Sequence, residues 1–97
     1  MLELSPAQRK SLKSMAHDLK PVVMIGNAGL SEAVIAETDR ALAAHELIKI
    51  RVLNDDRDER EGWLAALCEA LDATPVQHIG KLLLIYRPAA EPRIVLP

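Results

Sequence analysis

Gly26 and Gly29 stand three residues apart, after the apolar run 21–25 and just ahead of Ser31 and Glu32. Of all residues in the chain, they are best placed to hold a ligand. Glycines at this spacing let the backbone approach a partner with no Cβ in the way. Ser31 is a good N-cap and Glu32 a favourable first-turn charge, so the helix that starts there points its free N–H groups back at the turn. Such a helix start favours an anion, and phosphate is the natural guest. The same spacing also occurs in plain strand-to-helix connections, so a purely structural reading stands beside the functional one. No Lys-Ser or Lys-Thr follows Gly29 and no G-x-G-x-x-G is present, so a nucleotide-hydrolysing or dinucleotide site is not expected.

The next candidates are cations. Lys49 and Arg51 share one side of the alternating stretch 46–53, with Ile48, Ile50 and Val52 on the other. They read either as an electropositive ridge or as solvated charges on a half-exposed strand. Arg9, Lys10 and Lys13 lie mostly off the apolar stripe of a first helix. The formal charge is −2, but it is unevenly spread. Arg9, Lys10, Lys13 and Lys20 outnumber Glu3 and Asp18 over residues 1–31. Residues 32–72 are strongly acidic, and Lys81, Arg87 and Arg93 outnumber Glu91 in the tail. A chain of this kind can present a basic side to a polyanion, or simply a mixed solvated surface.

Other residues are explained without a site. Asp55, Asp56, Asp58, Glu59 and Glu61 crowd a loop and helix start, but the glycine of a calcium loop is missing, and acids at a helix start answer the dipole. No metal is expected there. Cys68 is the only cysteine, so neither an internal disulfide nor a cysteine-based zinc cluster forms, which fits a reducing cytoplasm. The serines suit caps or an exposed helix face, and His17, His45 and His78 are far apart in sequence with no evident nucleophile. No catalytic residue and no cofactor is expected. The N-terminal stretch 1–6 has neither the basic nor the apolar region of a signal peptide, and the longest apolar run, 82–86, is too short to span a membrane.

The elements that must position the loop and the cations follow in order. Ser5 caps a first helix with Pro6 at its first position, and Leu12, Met15, Ala16 and Leu19 form its buried stripe. Lys20-Pro21 breaks that helix and leads into a strand over 21–25, expected to be buried on both faces. A second helix over about 31–44 buries Val34, Ile35, Thr38, Ala41 and Leu42. After the strand 46–53, a third helix runs to about Asp72 with Trp63, Leu64, Leu67, Cys68 and Leu71 inside. Strands over 74–79 and 81–87 flank Gly80, and Ile94-Val95-Leu96 either packs on the body or adds an edge strand. With 97 residues, 49% of them hydrophobic, the chain makes one α/β domain over 1–97. Its order is an N-terminal helix and then β-α-β-α-β-β with a four-stranded mixed sheet. There is no Phe, one Trp and one Tyr, so base-stacking platforms are few.

Leu19-Lys20-Pro21-Val22-Val23, Gly26-Asn27-Ala28-Gly29-Leu30, His45-Glu46-Leu47-Ile48-Lys49, and Ile79-Gly80-Lys81 with Tyr86-Arg87-Pro88 together resemble the bacterial YhbY proteins. These are stand-alone members of the CRM family, named for chloroplast RNA splicing and ribosome maturation, and the likeness runs from Leu4 to Leu96. It implies a fold similar to the C-terminal domain of translation initiation factor three. It also implies RNA binding, association with precursors of the large ribosomal subunit, and a G-x-x-G loop used like that of KH domains. KH-type loops often carry a basic residue between the glycines, whereas Asn27-Ala28 offers none, so phosphate contact is expected to rest on backbone N–H groups and on neighbours such as Lys20. The resulting expectation is a non-catalytic RNA-binding assembly factor that uses Lys20, Gly26, Asn27, Ala28 and Gly29, the helix cations Arg9, Lys10 and Lys13, and Lys49 with Arg51. The alternative is an interaction module whose acidic half docks a ribosomal protein.

Overall fold

Two helices cover one face of a four-stranded sheet, and a third covers half of the other. The structure, a computed structural model, describes residues 2–97, so Met1 of the N-terminal stretch lies outside the described residues. The elements are α1 (Pro6–Ala16), β1 (Val23–Ile25), α2 (Glu32–His45), β2 (Leu47–Val52), α3 (Arg57–Leu71), β3 (Thr74–Ile79) and β4 (Leu82–Tyr86). The order across the sheet is β1-β2-β4-β3. β1 runs parallel to β2, and β4 pairs antiparallel with both β2 and β3.

Local chemistry accounts for the helix starts. In α1 the Ser5 hydroxyl accepts from the Gln8 N–H at 3.1 Å while the Gln8 side chain accepts from the Ser5 N–H at 3.0 Å, a reciprocal capping box with Pro6 just inside. Ser31 caps α2 by accepting from Val34 N–H. Asp56 caps α3 by accepting from the N–H groups of Asp58 and Glu59. The acidic run is therefore a helix start with its charges at the positive end of the dipole.

Packing divides the apolar residues by sheet face. Leu42 of α2 and Leu64, Leu67 and Cys68 of α3 pack with Val23, Ile25, Ile48, Ile50, Val52, Leu83 and Ile85. On the opposite face Leu12 and Ala16 of α1 lie against Leu47, Val76, Leu84 and Tyr86, with Leu4, Ile94 and Leu96 at the margin. Burial pushes the Cys68 thiol up to about 11, so it is a core group rather than a nucleophile.

Several expectations need correction. The first strand is Val23–Ile25, shorter than 21–25, and it is not buried on both faces, because Met24 is 56% exposed and Val22 45%. It is an edge strand, and α1 does not reach over it. Helix α1 stops at Ala16 rather than at the Lys20-Pro21 break, so Leu19 leaves the stripe and both Met15 and Leu19 stay exposed. The second strand starts at Leu47, because Glu46 is the C-cap of α2 with φ 65° and ψ −50°. Ile94 and Leu96 pack on the body, and no strand forms there. At the other edge, β3 shifts register between Pro75 and Gln77, a bulge beside a proline on an edge strand.

Candidate nucleic-acid interface

The glycine loop is a β-turn closed by Gly29 N–H donating to the Gly26 carbonyl at 3.0 Å. One of the backbone donors expected to meet phosphate is therefore already used. The two glycines are not equivalent. Gly26 has no atom within 4 Å of where a Cβ would stand, whereas Gly29 has φ +79° and a Cβ there would lie 2.8 Å from Cζ2 of Trp63. Trp63, read from sequence as a core residue, is half-buried against that core and also forms the floor under the end of the loop.

The loop sits at the end of the sheet where β1 and β2 finish side by side, shown by Leu53 N–H donating to the Ile25 carbonyl. The Gly80-Lys81 turn comes to the same end, since Val52 N–H donates to the Lys81 carbonyl. Acidic residues share this end but are engaged. Asp55 pairs with Lys81, whose hydrogen bond holds the carboxyl below its usual range. Asp56 is the α3 cap, and Glu59 accepts from the Asn54 side chain.

The cations proposed from sequence separate into groups. Met24 stands opposite Arg51 and Ile25 opposite Val52, which makes Arg51 the strand cation nearer the loop. Lys49 lies further along β2, where its carbonyl accepts from Val22 N–H. Lys20 is not a neighbour of the glycines. It lies at the opposite end of β1, lining a groove with Met15, Leu19, Val22, His45 and Lys49, because β1 itself spans the distance between them. Lys13 and Lys10 are exposed on α1. Arg9 is half-buried instead, donating from one terminal nitrogen to the carbonyls of Pro75 at 2.7 Å and Val76 at 2.9 Å. It braces α1 to the β3 bulge.

The tail cations are also occupied, which removes them from the basic side. Arg87 donates to the Asp39 carboxylate and to the carbonyls of Asp39 and Leu71. Arg93 donates to the carbonyls of Ala43 and Ala44 at the end of α2, where the dipole favours a cation. Lys10, Lys13, Lys20, Lys49 and Arg51 take no part in an ion pair among the described residues. All five belong to α1, β2 or the segment between α1 and β1, on the side of the sheet that α1 half covers. The helices on the other side carry Glu32, Glu37, Asp39, Asp58, Glu59, Glu61 and Glu69 against Arg40, Arg57 and Arg60, a clear excess of acid. The uneven charge seen in the sequence thus becomes a basic and an acidic side of one sheet.

Some residues with structural work were missed by sequence reasoning. Glu46 is fully buried, and Arg60 is buried with its Nε donating to His78 Nε2 at 3.1 Å and a terminal nitrogen to the Asn54 carbonyl at 2.9 Å. A lone acid between a helix end and an apolar strand is the one signal that marks Glu46. For Arg60 the helix period places it only one turn from Leu64, which is weak guidance.

Comparison with known proteins gives a consistent picture. Residues 4–87 match the family model of the CRS1 / YhbY (CRM) domain. A Haemophilus influenzae protein named RNA-binding protein is 45% identical over 97 residues, covering 100% of this chain and 98% of that one. A probable RNA-binding protein of Pseudomonas aeruginosa is 43% identical over 91 residues, covering 94% of this chain and 88% of its own length. The solution structure of a hypothetical Staphylococcus aureus protein, put forward as an RNA-binding protein, superimposes with a TM-score of 0.85 at 35% identity, covering 98% of this chain and 100% of that one.

Proposed function

Since the chain belongs to the CRS1 / YhbY (CRM) domain family, we propose that it is a non-catalytic RNA-binding protein that acts in the cytoplasm on precursors of the large ribosomal subunit, as an assembly factor. The relatives' names support RNA as the partner, and the resemblance to the bacterial YhbY proteins supports the ribosomal target. The observation that carries the reading is that Lys10, Lys13, Lys20, Lys49 and Arg51, none of them in an ion pair among the described residues, lie on one side of the sheet in a chain whose net charge is −2, whereas Arg40 and Arg57 on the other side are outnumbered by acids. A net-negative protein gains RNA affinity only where such charges are sorted onto one face. In this reading Arg51 and the glycine loop bind one stretch of backbone, and Lys49, Lys13 and Lys20 continue the track. Arg9 acts indirectly, by holding α1 in place.

The test is salt dependence. If Lys49 and Arg51 each neutralise a phosphate of single-stranded RNA, log K falls with log salt by about 0.7 per contact. Changing both to Gln then flattens the slope by roughly 1.4, similarly for RNAs of different sequence, since phosphate contacts position the chain without reading bases. Thermal stability changes little, because Arg51 is exposed, Lys49 is only half-buried, and neither is in an ion pair among the described residues. A double variant with the wild-type slope moves the RNA face away from β2.

The acidic helices favour a second reading, in which α2 and α3 dock a basic ribosomal protein. Binding to naked RNA separates the two readings, since the protein-docking alternative predicts none that depends on salt.

A further inference from the structure

We propose that the uncovered half of the sheet, floored by Met24, Arg51, Leu82 and Ile79, is a platform for the bases of unpaired RNA. The inference rests on the RNA-binding reading above and adds to it the form of RNA that the site takes.

The strand register lays these residues in a single row. Met24 is opposite Arg51, Arg51 opposite Leu82, and Leu82 opposite Ile79, so the row crosses all four strands. Alternation along β2 puts Arg51 on the same face as Leu47 and Lys49, the face on which α1 packs. Helix α1 closes only the far half of that face, over Leu47, Val76, Leu84 and Tyr86. Met24 is left 56% exposed and Ile79 52%, with Leu82 half-buried between them. A groove of about 310 Å³ runs along the boundary, with Lys13 of α1 and its C-cap residue His17 on one wall and Lys49, Ile79 and Leu82 among the residues of the floor.

The chemistry of this surface selects among RNAs. An A-form duplex shows a protein its phosphates and 2′-hydroxyls and keeps its base faces stacked inside, so it would leave Met24, Leu82 and Ile79 in water. Unstacked bases offer flat apolar faces that can cover those side chains, and the Arg51 guanidinium and His17 ring supply planes on which a base can lie. That compensates for a chain with no Phe and a single, buried Tyr86. Lys13, Lys49 and Arg51 flank the apolar row, and none of the four strands carries a carboxylate. The complementary partner is therefore a polyanion with exposed apolar planes.

The experiment compares a short fluorescent single-stranded oligoadenylate with the duplex it forms with oligouridylate. Both are titrated into wild-type protein and the Met24→Ala/Ile79→Ala variant, with melting curves alongside. The wild type is expected to prefer the single strand. The variant, altered only at exposed positions, keeps its melting temperature and its salt slope but loses about tenfold in affinity for the single strand, the order expected when the apolar area that two side chains offer the bases is lost, while its duplex binding is unchanged. Equal wild-type affinity for the two RNAs, or a variant that weakens both alike or neither, overturns the platform and leaves the RNA reading standing. Tighter binding of an acidic, leucine-rich peptide than of oligoadenylate also overturns it. If neither RNA binds in a salt-dependent way, the RNA reading itself falls, and the platform with it.

Discussion

Replacing Glu46 by Ala is expected to destabilise the protein by about 3–5 kcal/mol, because three backbone N–H groups lose a charged acceptor and each such donor left buried costs about 1–3 kcal/mol. That is a large fraction of the roughly 5–15 kcal/mol that holds a domain of this size together, and it lowers the melting temperature by about 12 °C or more. The Glu46 carboxylate is fully buried and ties down the C-terminal tail. One oxygen accepts from Arg93 N–H at 2.9 Å and Ile94 N–H at 3.1 Å, the other from Ala89 N–H at 2.8 Å, and the Arg93 side chain lies 3.6 Å away. Removing it leaves three backbone donors without their acceptor. The backbone at Glu46, with φ 65° and ψ −50°, lies close to the strained γ-turn region, with its N–H donating to the Leu42 carbonyl and its carbonyl accepting from Arg87 N–H.

The same clasp gives a pH signature. The Ala89 N–H, followed by those of Arg93 and Ile94 and by the Arg93 charge, holds the Glu46 carboxyl below its ordinary value of 4.5, against the opposing effect of burial. A depressed carboxyl contributes stability above its unfolded value, and that contribution disappears as pH falls through the lower folded one. Denaturant titrations from neutrality to below 4.5 should show wild type losing stability more steeply than Glu46→Gln. Parallel curves would mean that the carboxylate charge does not hold the tail.

The second large effect lies in the loop, where the two glycines should behave oppositely. Gly29→Ala forces a side chain into the left-handed region at φ +79° and places its Cβ 2.8 Å from the Trp63 ring. The backbone cost is about 1–2 kcal/mol and the overpacking about 1–3 kcal/mol, for a total of roughly 2–5 kcal/mol. Because Trp63 is the only tryptophan, its emission reports the displacement directly. In a Trp63→Leu background the Gly29→Ala penalty should shrink towards the backbone part alone, as a double-mutant cycle would measure. Gly26→Ala meets no atom and should stay within about 0.5 kcal/mol of wild type. Loss of RNA affinity in a Gly29 variant would therefore report a damaged loop, whereas Gly26→Asp adds a repelling charge to an intact one. Unchanged affinity in Gly26→Asp would remove the loop from the interface.

What was legible in the sequence was local. Ser5, Ser31 and the Asp56 region announce three helix starts because a cap and the apolar period both lie within a few residues. Gly80 marks the β3–β4 turn for the same reason. The insertion of β4 between β2 and β3 depends on pairing between distant segments, and no short window contains it. The site suffers from the same blindness. Alternation put Lys49 and Arg51 on one face, but only the sheet shows that Lys20 sits at the wrong end of β1 for the loop, and that Arg9 is occupied by carbonyls 66 and 67 residues away. The tail has no period to betray its packing, and the place of Glu46 between a helix end and an apolar strand hints at its burial without revealing the three N–H groups it holds.

The sorting of charge between the two sides of the sheet gives the molecule an electric dipole, with kinetic consequences that its net charge would not suggest. The protein measures 37 × 24 × 23 Å. At about 0.01 M salt the screening length is about 30 Å, so a distant RNA senses the whole molecule and is repelled by its excess of acid. At about 0.15 M the length is about 8 Å, shorter than the body is thick, and the RNA senses only the face in front of it. On the proposed RNA-binding reading, approaches to the α2–α3 side are then turned away and those to the α1 side are drawn in. The association rate, measured by stopped flow, is accordingly expected to rise with the first additions of salt, pass through a maximum, and fall only when the near face is screened as well, unlike a uniformly basic protein, whose rate falls from the start.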